Sequence, residues 1–114
     1  MKERLFLLEN EFVDADLPGR HFYCRDCITL NGILAAFPEK LAGLEVIRVP
    51  HSRPREAVVE MIGPDNQWLP VLVFGDRSGA DHADGEYQGR MFVTDMPRLL
   101  HALHTRHDFP EAHP

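Results

Sequence analysis

Short apolar runs and segments of helical periodicity alternate along this chain, and that alternation restricts its fold more than any other property of the sequence. Arg4 to Leu8 is an apolar run containing an aromatic residue, closed by the polar Glu9-Asn10-Glu11, and it reads as a buried strand. The stretch from Glu9 to Tyr23 holds Asp14, Asp16, Pro18 and Gly19 and reads as a loop. From about Arg25, Ile28, Leu30, Ile33, Leu34 and Phe37 recur near helical spacing as a core stripe. Pro38 ends that helix by pushing the preceding residue out of the α region. Leu44 to Val49 is rich in β-branched residues and lies between Gly43 and Pro50, which predicts a second strand. Ser52 as cap, Pro54 in the first turn and the apolar set Ala57, Val58, Met61 and Ile62 predict a second helix, ended by Gly63-Pro64. Strand, helix, strand, helix in this order implies parallel strands joined by a right-handed crossover.

The second half adds two strands and a helix. Trp68 to Phe74 is the most hydrophobic run and predicts a central strand, with Pro70 at the start, where a missing N–H is tolerated. Asp76 to Gly89 has three glycines and little apolar content, and reads as a long flexible hairpin loop. Arg90 to Val93 is then a short antiparallel partner. Thr94 or Asp95 caps a last helix with Pro97 in its first turn and Leu99, Leu100 and Leu103 on its buried face. The tail from Asp108 reads as ragged, with Phe109 able to dock. The order βαβαββα describes an α/β domain over residues 1–114, with a four-stranded mixed sheet flanked by helices. At 44% hydrophobic residues, 114 residues suffice for one such core and not for two.

The only two cysteines stand three positions apart, in Cys24-Arg25-Asp26-Cys27, where the first helix begins. The apolar run Leu5 to Leu8 is too short for a secretion leader or a bilayer span, so the expected setting is the cytoplasm, with no membrane partner. Thiols are kept reduced there, and a CxxC pair then points to redox catalysis, redox sensing or metal binding. A helix N-terminus stabilises a thiolate through its free N–H groups and dipole. The spacing places Cys27 within one turn of Cys24, making Cys24 the exposed attacking thiol and Cys27 the deeper resolving thiol. Arg25 favours the thiolate and Asp26 opposes it, so their sum has no sign from sequence.

Two other readings of the pair stand beside this one. The first is a non-catalytic domain that binds a partner or senses redox state. The second is a structural zinc site, for which CxxC supplies two of four ligands and His21, His101, His104 and His107 are the candidates for the rest. Other classes find no support. The net charge is -6 and no basic stripe is present, which argues against a nucleic-acid partner. Arg53 and Arg55 flank Pro54 and read as a solvated helix start. Asp76, Asp81, Asp84 and Glu86 do not match a calcium loop and read as a solvated hairpin tip. Phosphate loop, dinucleotide fingerprint and Ser-His-Asp constellation are all missing.

Cys24-Arg25-Asp26-Cys27 after the first strand, and Trp68-Leu69-Pro70-Val71-Leu72-Val73 opening the third, resemble the thioredoxin superfamily. More specifically, they look like its glutaredoxin and glutathione S-transferase N-terminal branch. The whole sequence also resembles a family of small bacterial proteins of unknown function. The superfamily resemblance implies a thioredoxin-like fold and a thiol–disulfide oxidoreductase with Cys24 and Cys27 as its catalytic pair. Glutathione or a thioredoxin-type protein would be the electron donor, with glutathione a co-substrate and no dissociable cofactor required. It also implies a cis Leu69–Pro70 bond that brings the Leu69 backbone towards Cys24 to pair with an extended thiol peptide. Tyr23, Arg25 and Trp68 would flank that groove, although Tyr23 and Trp68 also suit packing roles. Thr94 and Asp95 fall where relatives hold the γ-glutamyl end of glutathione. Two departures stand out: Arg25-Asp26 replaces the usual dipeptides, and Met91-Phe92-Val93 replaces the glycine pair many glutaredoxins carry before the last helix. The sequence leaves substrate, direction of electron flow and oligomeric state open.

Overall fold

The first apolar run forms strand β1 (Glu3–Leu8) and runs through the interior of a mixed sheet. In the computed structural model, which describes residues 1–114, β1 pairs in parallel with β4 (Leu44–Val49), Leu8 lying opposite Val49. On its other side it pairs antiparallel with β5 (Val71–Val73), Phe6 opposite Val71. Beyond β5 come β7 (Arg90–Val93) and β6 (Gly85–Tyr87), both in antiparallel pairing, so the sheet order is β4-β1-β5-β7-β6. Leu5 and Leu7 point to one face of β1 and Phe6 and Leu8 to the other, and all four are buried. A strand buried on both sides belongs to a sheet covered on both faces. The covering elements are the helices α1 (Arg25–Ala36), α2 (Glu56–Ile62) and α3 (Met96–His107).

The sheet has five strands where four were expected. The difference lies in Asp76 to Gly89, which is ordered as a short 3-10 turn (Arg77–Gly79) followed by β6. Gln88 and Gly89, at φ 48° and 82°, form the tight connection into β7. Their paired positive φ values match the twist of a two-residue hairpin. The stretch Glu9 to Tyr23 also departs from a plain loop, since β2 (Phe12–Val13) and β3 (His21–Phe22) pair as a small separate hairpin.

Three local expectations need correction. Ile28 is 43% exposed rather than part of the core. The buried face of α1 is set by Cys27, Leu30 and Leu34, and Ile28 lies one residue, about 100°, off that line. Helix α2 begins at Glu56 with Arg55 as its N-cap and no side-chain cap, so Ser52 does not cap it. The chain from His51 to Arg55 instead folds back on itself, with the Arg55 guanidinium on the His51 carbonyl. Finally, the tail is anchored: Phe109 is buried, edge-on to Phe37 at 6.4 Å between ring centres. Asp95 is the cap of α3, accepting the Arg98 N–H at 3.1 Å.

The register gathers the end of β1, the end of β4, the entry to β5 and the end of β7 at one edge of the sheet. The chemistry-bearing residues collect there. No helix is long and apolar enough to cross a membrane.

Candidate functional site: the cysteine pair at the first turn of α1

Cys24 is the N-cap of α1, with extended backbone at φ -78° and ψ 124°. Its Sγ accepts the Cys27 N–H at 3.2 Å, and its carbonyl accepts the Ile28 N–H at 2.9 Å. The sulfur thus takes the place that a Ser or Asp oxygen fills in an ordinary cap, on one of the free N–H groups of the first turn. Cys24 is half-buried and so open to a reagent from one side.

Cys27 lies one turn deeper and is 2% exposed. Its Sγ accepts the Leu8 N–H at 3.4 Å, which docks α1 onto the end of β1. Burial pushes the Cys27 thiol up to about 12, helped by contact with the Cys24 thiol and by the charges of Cys24 and Asp26, while the Leu8 N–H works in the opposite direction. The two thiols are therefore chemically unlike. One caps a helix at the surface, and the other is held protonated among Leu5, Leu8, Leu30 and the rest of the core.

Around Cys24 the expected groove residues are largely in the open. Tyr23 is 62% exposed and Trp68 66%, so neither packs in the core. The Arg53 guanidinium lies 5.2 Å over the Trp68 ring. Arg25 is exposed in the first turn of α1. The Leu69–Pro70 bond is cis, as the resemblance implies; Leu69 is half-buried and Pro70 buried immediately before β5. A shallow cavity beside Cys24 is lined by Asn10, Glu11, His21, Phe22, Tyr23 and Ile28. His21 and Phe22 of β3 contribute to its lining, in a segment the sequence read as loop.

Thr94 and Asp95 also lie at this end of the sheet, but their backbone donors are already engaged. The Thr94 N–H reaches both oxygens of the Asp84 carboxylate at 3.1 Å, and the Asp95 N–H reaches one at 2.9 Å. The Thr94 hydroxyl adds a longer contact of 3.4 Å. A turn able to seat an incoming carboxylate is therefore filled by one from this chain. Asp84, read from sequence as a solvated tip residue, is the anchor between β6 and the start of α3.

The histidines do not join the cysteines. His21 pairs with Glu11 at 3.0 Å, His107 with Glu3 at 2.8 Å, and His104 meets the Phe109 carbonyl at 2.7 Å. The zinc reading finds no ligand set, because the structure brings together no group of three or more His, Cys, Asp or Glu placed to hold a metal ion.

Arg55 is the residue that sequence reasoning missed. Far from being a solvated helix start, it is 7% exposed. Its Nε and Nη2 donate to the His51 carbonyl at 3.1 and 2.8 Å, and Nη1 donates to the Gln67 carbonyl at 2.6 Å. Its backbone N–H donates to Gln67 Oε1 at 2.8 Å. It thereby joins the loop leaving β4 to the segment Gln67-Trp68-Leu69-Pro70 that enters β5. No local signal in the sequence marks this, because the contact exists only once two loops meet.

A family model described as "Protein of unknown function (DUF3088)" matches residues 2–111, and the chain belongs to that family. No curated protein and no solved structure matches it.

Proposed function

We propose that this DUF3088 protein is a thioredoxin-like thiol–disulfide oxidoreductase with Cys24 as nucleophile and Cys27 as resolving thiol. The observation that carries the reading is the Cys24 sulfur capping α1 on the Cys27 N–H, with a second, buried thiol one turn away. The β4-β1-β5-β7 part of the sheet, with parallel β1 and β4 and antiparallel β5 and β7, supports the thioredoxin-like assignment.

In the reductive direction, the Cys24 thiolate attacks one sulfur of a substrate disulfide. A mixed disulfide forms and the other substrate sulfur leaves as a thiolate. Cys27 gives up its proton to the departing thiolate and attacks the Cys24 sulfur, expelling the second substrate thiolate. The protein then holds a Cys24–Cys27 disulfide, two electrons have moved to the substrate, and the two thiol protons end on the two product thiols. A thiol donor, either glutathione or a protein dithiol, restores the reduced pair by the same exchange in reverse. The cytoplasm is the setting that would keep it supplied. No dissociable cofactor enters these steps. With Asp84 seated on Thr94 and Asp95, a protein dithiol is the better-fitting donor, since it brings no terminal carboxylate to that turn.

The test is reduction of a small disulfide, such as hydroxyethyl disulfide, by wild type and by Cys24→Ser and Cys27→Ser variants. Wild type should turn over, and Cys24→Ser should lose activity by at least about 100-fold, the scale expected when a nucleophile is removed. Cys27→Ser should accumulate a mixed disulfide visible by mass. Disulfide reduction that persists unchanged in Cys24→Ser removes the enzymatic reading and leaves a non-catalytic binding module.

A further inference from the structure

Two cations of this fold converge where their charges should keep them apart. Arg4 on β1 and Arg90 on β7 stand on either side of β5, with Arg4 opposite Val73 and Val73 opposite Phe92. Residues opposite one another, and residues two apart along a strand, share a face, so Arg4 and Arg90 rise from the same side of the sheet. That side meets α2. Arg4 Nη1 lies 3.2 Å from the Met61 sulfur and Arg90 Nη1 lies 2.7 Å from it. The two Nη1 atoms are therefore at most 5.9 Å apart, the sum of those two distances. Met61 is buried beneath them, Arg4 is half-buried and Arg90 is exposed.

A thioether is a weak acceptor, whereas guanidinium groups bind oxyanions strongly. Arg90 makes no other side-chain hydrogen bond and enters none of the ion pairs. Arg4 has one carboxylate beside it, Glu45, whose Oε2 lies 3.3 Å from Nε. That contact is poorly aligned, and Nε is the one buried side-chain nitrogen or oxygen in the structure without a hydrogen-bond partner. The next acid along the chain, Glu3, alternates to the opposite face and is held by Arg106 and His107. Like charges this close repel, and the exposed Arg90 has room to turn away. The fold nonetheless aims both Nη1 groups at one point.

We propose that Arg4 and Arg90 form a binding site for a carboxylate above the Met61 sulfur, each guanidinium donating to one oxygen. Charge-assisted bonds of about 2.8 Å from either side let one carboxylate reach across a gap of this size. Charge selects the class of ligand. Two guanidiniums against the single Glu45 carboxylate leave one positive charge, which a carboxylate balances and a phosphate dianion overshoots. The site is independent of the cysteine pair, because Arg4 precedes Leu8 by four residues on β1, roughly 13 Å from the strand end that meets Cys27.

Sodium acetate is the probe, titrated into the ¹⁵N-labelled protein against sodium chloride at constant ionic strength. The Arg4 and Arg90 side-chain N–H resonances should shift together and saturate in the range of about 1 to 50 mM acetate. Arg90→Gln, which has no other side-chain bond to lose, should weaken the binding read at Arg4 by at least about tenfold, as expected when one of two charge-assisted donors is removed. Met61→Leu keeps both guanidiniums and the packing, and should bind acetate as wild type does. Acetate that moves neither resonance by about 100 mM, or that moves Arg4 equally in Arg90→Gln, overturns the proposal. Tighter binding of inorganic phosphate overturns the choice of a carboxylate. An N-acetylated dialanine with a free carboxylate separates two sources of the same chemistry. Binding tighter than that of acetate assigns the site to the end of a peptide chain, and equal or weaker binding assigns it to a small carboxylate.

Discussion

Iodoacetamide added to the folded, fully reduced protein at about pH 7.5 should find two very different thiols. The thiolate is the reactive species, so rate follows its population. A thiol pushed up to about 12, as burial does to Cys27, is ionised in about 1 molecule in 30,000 at that pH. A free cysteine at about 8.5 is ionised in about 1 in 10, which makes Cys27 about 3,000 times slower from ionisation alone. At 2% exposure its sulfur must also wait for local opening, which slows it further. Peptide mapping by mass at timed intervals reads both sites in one sample. Cys24 should be fully carboxamidomethylated while Cys27 remains free, and denaturant should bring Cys27 to the rate of an ordinary thiol. Because burial is the first cause of the shift, the slow rate should persist in Cys24→Ser. Folded-state modification of Cys27 within about tenfold of free cysteine refutes the argument, since it would mean that neither desolvation nor burial protects the sulfur.

Two further outcomes are expected. Glu3 is buried on Arg106 and His107, and although burial works to raise its carboxyl, hydrogen bonds from His107 and Arg106 hold it below the ordinary range. Glu3→Ala should cost about 3 kcal/mol by calorimetry at neutral pH. Since a lowered carboxyl contributes stability that is present above its unfolded value and lost as pH falls through its folded one, the gap to wild type should narrow in acid below about pH 4.5; an equal gap at both pH values counts against the ion cluster. Asp84→Ala frees the Thr94 and Asp95 N–H groups and should lower stability by about 1 kcal/mol in thermal unfolding, with part of the loss restored by added acetate. A variant as stable as wild type would mean that the contact contributes nothing.

The parts of this fold that announce themselves in the sequence are those whose fate is decided locally. Leu5 to Leu8 and Val71 to Phe74 are apolar on both strand faces, which leaves them no place but a covered sheet, while the β-branched run Leu44 to Val49, interrupted by the exposed Glu45 and Arg48, takes the sheet's edge. Asp95 and Pro97 mark the start of α3 by chemistry that acts within a single turn. CxxC places its own sulfurs, because three residues in a first turn fix the geometry. The missed elements depend on partners distant in sequence. Gln88-Gly89 lacks the Asn-Gly or Asp-Gly signal of a two-residue hairpin, so β6 became visible only through its pairing with β7. Two-residue strands such as β2 and β3 have no periodicity to read. Arg55 and Asp84 look like solvated charges until one is seen under a loop 12 residues away and the other on donors 10 and 11 residues away.

The Glu3 cluster joins residues 103 and 104 positions apart, fastening the first strand to the last helix. It sits at the start of β1, whereas Cys27 meets Leu8 at the other end of that strand, roughly 17 Å away at the usual rise per residue. The backbone entering β1 and leaving α3 therefore emerges on the side of the molecule remote from the thiols. A fluorescent label or a surface tether attached at Lys2 would leave Cys24 facing open solution, whereas the tail beyond His107 turns back along α3, where Glu111 and Ala112 line a pocket with Pro97 and Leu100.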